Sequence, residues 1–130
     1  MISKFHNKKI DSPDGKFDSK YEYDVWCDLK QLEKFGVIKN LQRQVKFELI
    51  PTIKTTEETL KTISYYADFV YDEKGVTYIM DTKGFETDVY SIKKRLLINQ
   101  YVDATHWFIE RKKNKKDKVY KKVIDNNNFV

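Results

Sequence analysis

The sequence predicts an α/β sandwich: a mixed central sheet with a helix against each side, in the order helix–strand–strand–strand–helix–strand. Three observations lead there. Two β-branched and aromatic runs, Ser64–Tyr71 and Val76–Lys83, flank Asp72-Glu73-Lys74-Gly75, which has turn chemistry, and so read as a hairpin. Apolar residues recur at helical spacing through about Asp18–Phe35 and again through about Asp88–Gln100. Alternating or aromatic runs at Val37–Leu49 and Thr105–Glu110 add a strand before the hairpin and one after the second helix.

Residues 1–17 are expected to form a basic N-terminal arm. Lys4, Lys8, Lys9 and Lys16 are interleaved with Phe5, His6 and Phe17, and Ser12-Pro13-Asp14-Gly15 is a turn. Such an arm either holds phosphates or is an ordinary frayed terminus. In the first helix Val25, Leu29 and Leu32 share a stripe that Tyr23, Trp26 and Cys27 widen, and Gly36 is the stop. Cys27 is read as a packing residue. Glu22 falls on or beside that core-facing stripe. Alternatively, Ser19-Lys20-Tyr21-Glu22 is a capping box in which Glu22 caps its own helix.

The next strand places Leu41, Val45, Phe47 and Leu49 on one face and Gln42, Gln44, Lys46 and Glu48 on the other, with Arg43 breaking the pattern. Gln44 could stand behind a site, but a solvated glutamine is the plainer reading. Pro51 ends this strand, and Lys54–Thr59 is a polar connection. After the hairpin, Thr87 caps the second helix, whose Val89, Ile92, Leu96 and Leu97 are expected to face the core. Lys93, Lys94 and Arg95 form a basic cluster that either meets DNA or is a solvated surface. The last strand gives way to a basic segment over 111–130, packed on or extending from an 18–110 core. Its Arg111, Lys112 and Lys113 are candidates for phosphate contact.

Length and composition bound the function. A chain of 130 residues, 40% hydrophobic and 15% aromatic, suits one globular domain. A net charge of +5 makes an acidic partner, above all nucleic acid, the expected one. Cys27 is the only cysteine, so no internal disulfide forms. With two scattered histidines it cannot build a structural zinc site, and no Gly-rich phosphate loop supports a nucleotide cofactor. The N-terminus lacks the apolar stretch of a signal peptide and no apolar run is long enough to span a bilayer, so a cytoplasmic protein is expected.

The chemistry concentrates at the hairpin's end. Strand alternation puts Asp81 and Lys83 on one face, and the neighbouring strand supplies Asp68. Charges in so apolar a setting are costly unless used or paired. The bland alternative is a cross-strand charge network on a solvated face. The pattern Asp68…Asp81-x-Lys83, preceded by a helical Glu22, resembles the PD-(D/E)xK nuclease superfamily. The wording Tyr-x-Ala-Asp-Phe-x-Tyr followed by Asp-Thr-Lys-Gly is similar to small phage and prophage proteins related to Holliday-junction resolvases, over Phe5 to about Trp107.

That resemblance implies a restriction-endonuclease-like sandwich and a DNA endonuclease dependent on Mg²⁺, for which Mn²⁺ could substitute. Glu22, Asp68, Asp81 and the carbonyl of Thr82 would hold the metal, and Lys83 would orient water or stabilise the transition state. It further implies branched DNA as substrate, a homodimer able to nick two strands, and a phage or prophage gene in a bacterial host. The alternatives are a nuclease for flaps, forks or plain duplex, and a non-catalytic DNA-binding or phage-assembly protein on the same fold.

Overall fold

The computed structural model describes residues 9–83, 86–124 and 128–129. Along the chain run β1 (Ile10–Ser12), β2 (Gly15–Phe17), α1 (Lys20–Lys34), β3 (Lys39–Ile50), β4 (Ile53–Lys54), β5 (Thr59–Leu60) and β6 (Ile63–Glu73). There follow β7 (Val76–Lys83), α2 (Asp88–Tyr101), β8 (His106–Lys112), β9 (Lys118–Tyr120), β10 (Val123–Ile124) and β11 (Asn128–Phe129). One five-stranded sheet has the order β3-β6-β7-β8-β9. Its neighbours are antiparallel except β7 and β8, which are parallel because α2 carries the chain back along the sheet between them. The protein is therefore α/β, with a mixed sheet and two helices.

Alternation along β7 and β8 divides the core. Met80 and Ile109 pack with Val25, Trp26 and Leu29 of α1. Ile79 and Phe108 pack with Tyr90 and Leu97 of α2 on the opposite face. In β3 and β6 that alternation slips midway. Leu41 and Arg43 lie on the α1 side, but Val45, Phe47 and Leu49 lie on the α2 side. Likewise Tyr65 and Ala67 belong to the α2 core and Phe69 and Tyr71 to the α1 core. The register Arg43↔Phe69 and Val45↔Ala67 sets Gln44 opposite Asp68, so both strands change faces at the same rung. Gln44 has φ +50°, the left-handed region that a non-glycine residue rarely adopts, which is how the slip is made without an inserted residue. Leu41 thus does not share a face with Val45, and Arg43 marked the irregularity.

Several expectations are corrected. Residues 9–17 are not a loose arm but the β1–β2 hairpin, whose Phe17 is 1% exposed. Arg43 lays its guanidinium over the Phe17 ring, 3.6 Å from its centroid, and donates to the carbonyls of Asp14 (3.2 Å) and Lys16 (2.6 Å). Trp26 Nε1 donates to Asp14 Oδ2 at 3.0 Å. The polar connection after Pro51 contains the small β4–β5 hairpin. In α1 Leu32 is largely exposed and Cys27 is exposed rather than packed, because Trp26 takes the place against the sheet. In α2 Leu96 and Leu97 pack inward as expected, joined by Tyr90, Lys94 and Tyr101, while Val89 and Ile92 face outward. The segment from 111 to 120 is part of the sheet, completing β8 and forming its edge strand β9.

Candidate acidic site at the split of the sheet

β6 and β7 part company beside Asp68. Their last pair at that end is Phe69↔Met80. Beyond it, Asp68 Oδ2 accepts from the backbone N–H of Thr82 (2.9 Å) and from its hydroxyl (2.8 Å), so a side chain takes the bond a strand neighbour would have made. The β3–β6 ribbon continues past this point on one side, and β8 with β9 continues on the other. The split therefore opens at the carboxyl ends of the parallel strands β7 and β8, the end of a sheet where α/β proteins gather ligands.

Glu22 reaches the split from the first turn of α1. Ser19 caps that helix by accepting from Glu22 N–H at 3.1 Å, while the Glu22 side chain turns inward and is 4% exposed. Gln44 Nε2 lies 3.3 Å from Asp68 Oδ1 and 3.5 Å from Glu22 Oε2, with geometry to donate to both. Gln44 is exposed, as the plainer reading expects, and its amide also lies within reach of two carboxylates from different elements. Burial, then the charges of Asp68 and Asp18 and, more weakly, Asp81, push the Glu22 carboxyl up to about 8 against the opposing pull of Arg43.

Asp81 stands at the same split but faces α2, and is 3% exposed. Its carboxylate lies close to the Tyr65 hydroxyl, which also lies near Tyr90. Tyr90 donates to Glu110 Oε2 at 2.6 Å, and Lys94 Nζ donates to the same oxygen at 3.0 Å. Tyr120 donates to Glu110 Oε1 at 3.0 Å. A polar network thus runs from Asp81 under α2 to a buried ion pair, holding the Tyr65 and Tyr90 hydroxyls protonated, chiefly through burial. A cleft of about 240 Å³ opens at the split, bounded by Ser64, Tyr65 and Tyr66 of β6 and Asp81 of β7. Thr87, Val89, Tyr90 and Lys93 at the start of α2 close its other side.

The split brings Glu22, Asp68, Asp81 and Thr82 into one neighbourhood. Carboxylate and carbonyl oxygens are the hard donors that Mg²⁺ takes, so the set fits in kind. Among the described residues, however, no group of three or more His, Cys, Asp and Glu side chains is gathered closely enough to hold a metal ion as it stands. Lys83 ends β7, paired in register with Lys112; its side chain, like Lys8, lies outside the described residues.

The expected DNA contacts divide. Lys93 lines the cleft, and Lys9, Arg95 and Lys113 are exposed. Lys94 is corrected: it points inward to Glu110 and Glu86 and its side chain is only 12% exposed, so it is not offered to a phosphate. Arg111 is only partly exposed, and Asp117 Oδ2 engages its guanidinium at 3.1 Å across the β8–β9 turn. Glu110 was missed by sequence reasoning. The signal was available: Phe108-Ile109-Glu110 repeats the apolar–apolar–acid order of Ile79-Met80-Asp81, and the parallel register sets the two acids side by side.

Fold and site together define an α/β protein with carboxylates gathered where its mixed sheet splits. The chain belongs to the family described as "Protein of unknown function (DUF1064)", which it matches over residues 2–125. No curated protein and no solved structure matches it. Among the described residues, no helix is long and apolar enough to cross a membrane.

Proposed function

We propose that this chain is a metal-dependent DNA endonuclease of the PD-(D/E)xK type on a restriction-endonuclease-like sheet, acting on branched DNA such as a four-way junction. The observation that carries the reading is the split itself, where Asp68 holds the backbone of Thr82 and Glu22 arrives from α1. A structural charge network would have no need to draw a buried glutamate from a helix to an aspartate with its own backbone partner. Glu22, Asp68, Asp81 and the Thr82 carbonyl would hold Mg²⁺, which supplies a Lewis acid for the phosphate and an activated water. Gln44 fixes the spacing of Glu22 and Asp68. Lys83, beside Asp81 in sequence, would meet the charge that develops on the phosphoryl oxygens. Lysines of the β8–β9 turn lie at the same end of the sheet and would neutralise flanking phosphates. Paired nicks in a junction call for two copies of the site, hence a homodimer.

The test is nicking of a labelled four-way junction by the purified protein, with Mg²⁺ and with chelator. Wild type is expected to cut only with metal. Asp81→Asn and Lys83→Ala should abolish cutting, while Gln44→Ala, which supports the ligands without being one, should lose roughly 10–100-fold. Equal cutting of linear duplex would discard the preference for junctions and keep the chemistry. A wild type that binds DNA but stays inert with every divalent metal would overturn the enzyme.

A further inference from the structure

We infer that Tyr65 is a positioning residue for Asp81: its buried hydroxyl donates to the Asp81 carboxylate and holds that acid in place as a metal ligand. This deepens the nuclease reading and rests on it for the role of Asp81. Tyr65 is 4% exposed and Asp81 3%, and the Tyr65 hydroxyl oxygen and Asp81 Oδ2 are both shut off from solvent. Alternation along β6 sends Tyr65, with Ala67, to the α2 face of the sheet, the face to which Asp81 turns. The two side chains line one cleft there and lie close to each other. The Tyr65 ring is held from both sides, its centroid 6.2 Å from that of Phe108 and 6.3 Å from that of Tyr90.

A phenol has one hydrogen to donate, and counting hydrogens decides where this one goes. Tyr90 gives its own to Glu110 Oε2 at 2.6 Å, so toward Tyr65 it offers only its oxygen. Lys94 and Tyr120, which donate to the same carboxylate, keep Glu110 a pure acceptor. Tyr65 therefore chooses between a neutral phenol oxygen and a carboxylate that is ionised whenever it serves as a metal ligand. A bond to an ionised acceptor is roughly twice as strong, so the hydrogen goes to Asp81. The buried ion pair under α2, which takes no part in the cleavage chemistry, thereby sets the direction of this bond. A neutral donor orients an acid without cancelling its charge, as Thr82 and Gln44 do for Asp68. Removing such a donor from behind a ligating carboxylate weakens metal binding.

The experiment titrates metal-free protein with Mn²⁺ in the absence of DNA, reading free Mn²⁺ by electron paramagnetic resonance, for wild type, Tyr65→Phe, Asp81→Asn and Tyr71→Phe. Tyr65→Phe keeps the ring and loses only the hydroxyl; it is expected to bind Mn²⁺ roughly 10–100-fold more weakly. Asp81→Asn should lose binding at least as far. Tyr71 is 5% exposed but belongs to the α1 core, so Tyr71→Phe removes a buried hydroxyl away from the site and should match wild type. Raised metal should restore nicking by Tyr65→Phe, because the defect lies in holding the ion. Equal Mn²⁺ affinity in wild type and Tyr65→Phe, or an equal loss in Tyr65→Phe and Tyr71→Phe, would overturn the positioning role and leave the nuclease standing. Undiminished binding by Asp81→Asn would overturn it too, and a wild type that takes up no Mn²⁺ would remove both readings. Metal binding that depends on Tyr65, in a protein that never nicks DNA, would sustain the positioning role while removing the nuclease.

Discussion

Glu110 is 1% exposed and still prefers the ionised form. Burial is the largest influence and works against the charge, but the bonds donated by Tyr90, Lys94 and Tyr120 outweigh it and hold the carboxyl below its ordinary 4.5. A group whose folded value lies below its unfolded one stabilises the protein above the unfolded value, and loses that contribution as pH falls through the folded one. The thermal midpoint should therefore lose ground below about pH 4.5 through this group, and Glu110→Gln should remove that part of the acid slope while lowering the midpoint at neutral pH. Midpoints with the same acid slope in both proteins would show that Glu110 is not held ionised by its donors. The residue also explains why Lys94 was misread. A lysine beside Lys93 and Arg95 looks like part of a solvated patch, and only the facing strand shows that it answers a buried acid.

At the scale of elements, the β1–β2 hairpin braces the helix that carries Glu22. Arg43 links the two, stacking on Phe17 and donating to Asp14 and Lys16 carbonyls from the strand that also holds Gln44. Arg43→Lys keeps the charge but loses the planar stack and the forked donors. It is expected to speed amide exchange over residues 10–17 with little change in the β7–β8 pair; uniform exchange across both would place the brace elsewhere. Both helices, the hairpin and the flanking strands were legible in the sequence, because their periods and caps are local. The slip at Gln44 and Asp68 was legible only as a broken alternation at Arg43. Half of the inward stripe of α2 was misassigned: Leu96 and Leu97 pack as expected, but apolarity alone also selected Val89 and Ile92 in place of Tyr90 and Lys94, whose polar ends hid them.

Over the whole molecule, the parallel step between β7 and β8 places charge of opposite sign at one end. Lys83 pairs with Lys112, so the lysine-rich turn from Lys113 to Lys116 continues past the split that contains Asp68 and Asp81. An acidic site flanked by cations can accept a polyanion once a metal offsets its carboxylates. Replacing Lys113, Lys115 and Lys116 with Gln should flatten the dependence of log affinity for DNA on log salt by about 0.9 for each phosphate no longer neutralised. An unchanged slope would move the DNA path away from this turn.

The sequence alone determined the order of the two helices and the four longer strands, the hairpin that presents Asp68 and Asp81, and the helix that carries Glu22. These follow from side-chain periodicity, turn chemistry and capping, all of which act over a few residues. The tertiary structure decided which charges are available. It turned Lys94 inward to Glu110, paired Arg111 with Asp117 and set Gln44 between Glu22 and Asp68. It also folded residues 10–17 against α1 rather than leaving them loose. Those outcomes depend on contacts between residues far apart in the chain, where burial makes an unpaired charge costly and so selects its partner.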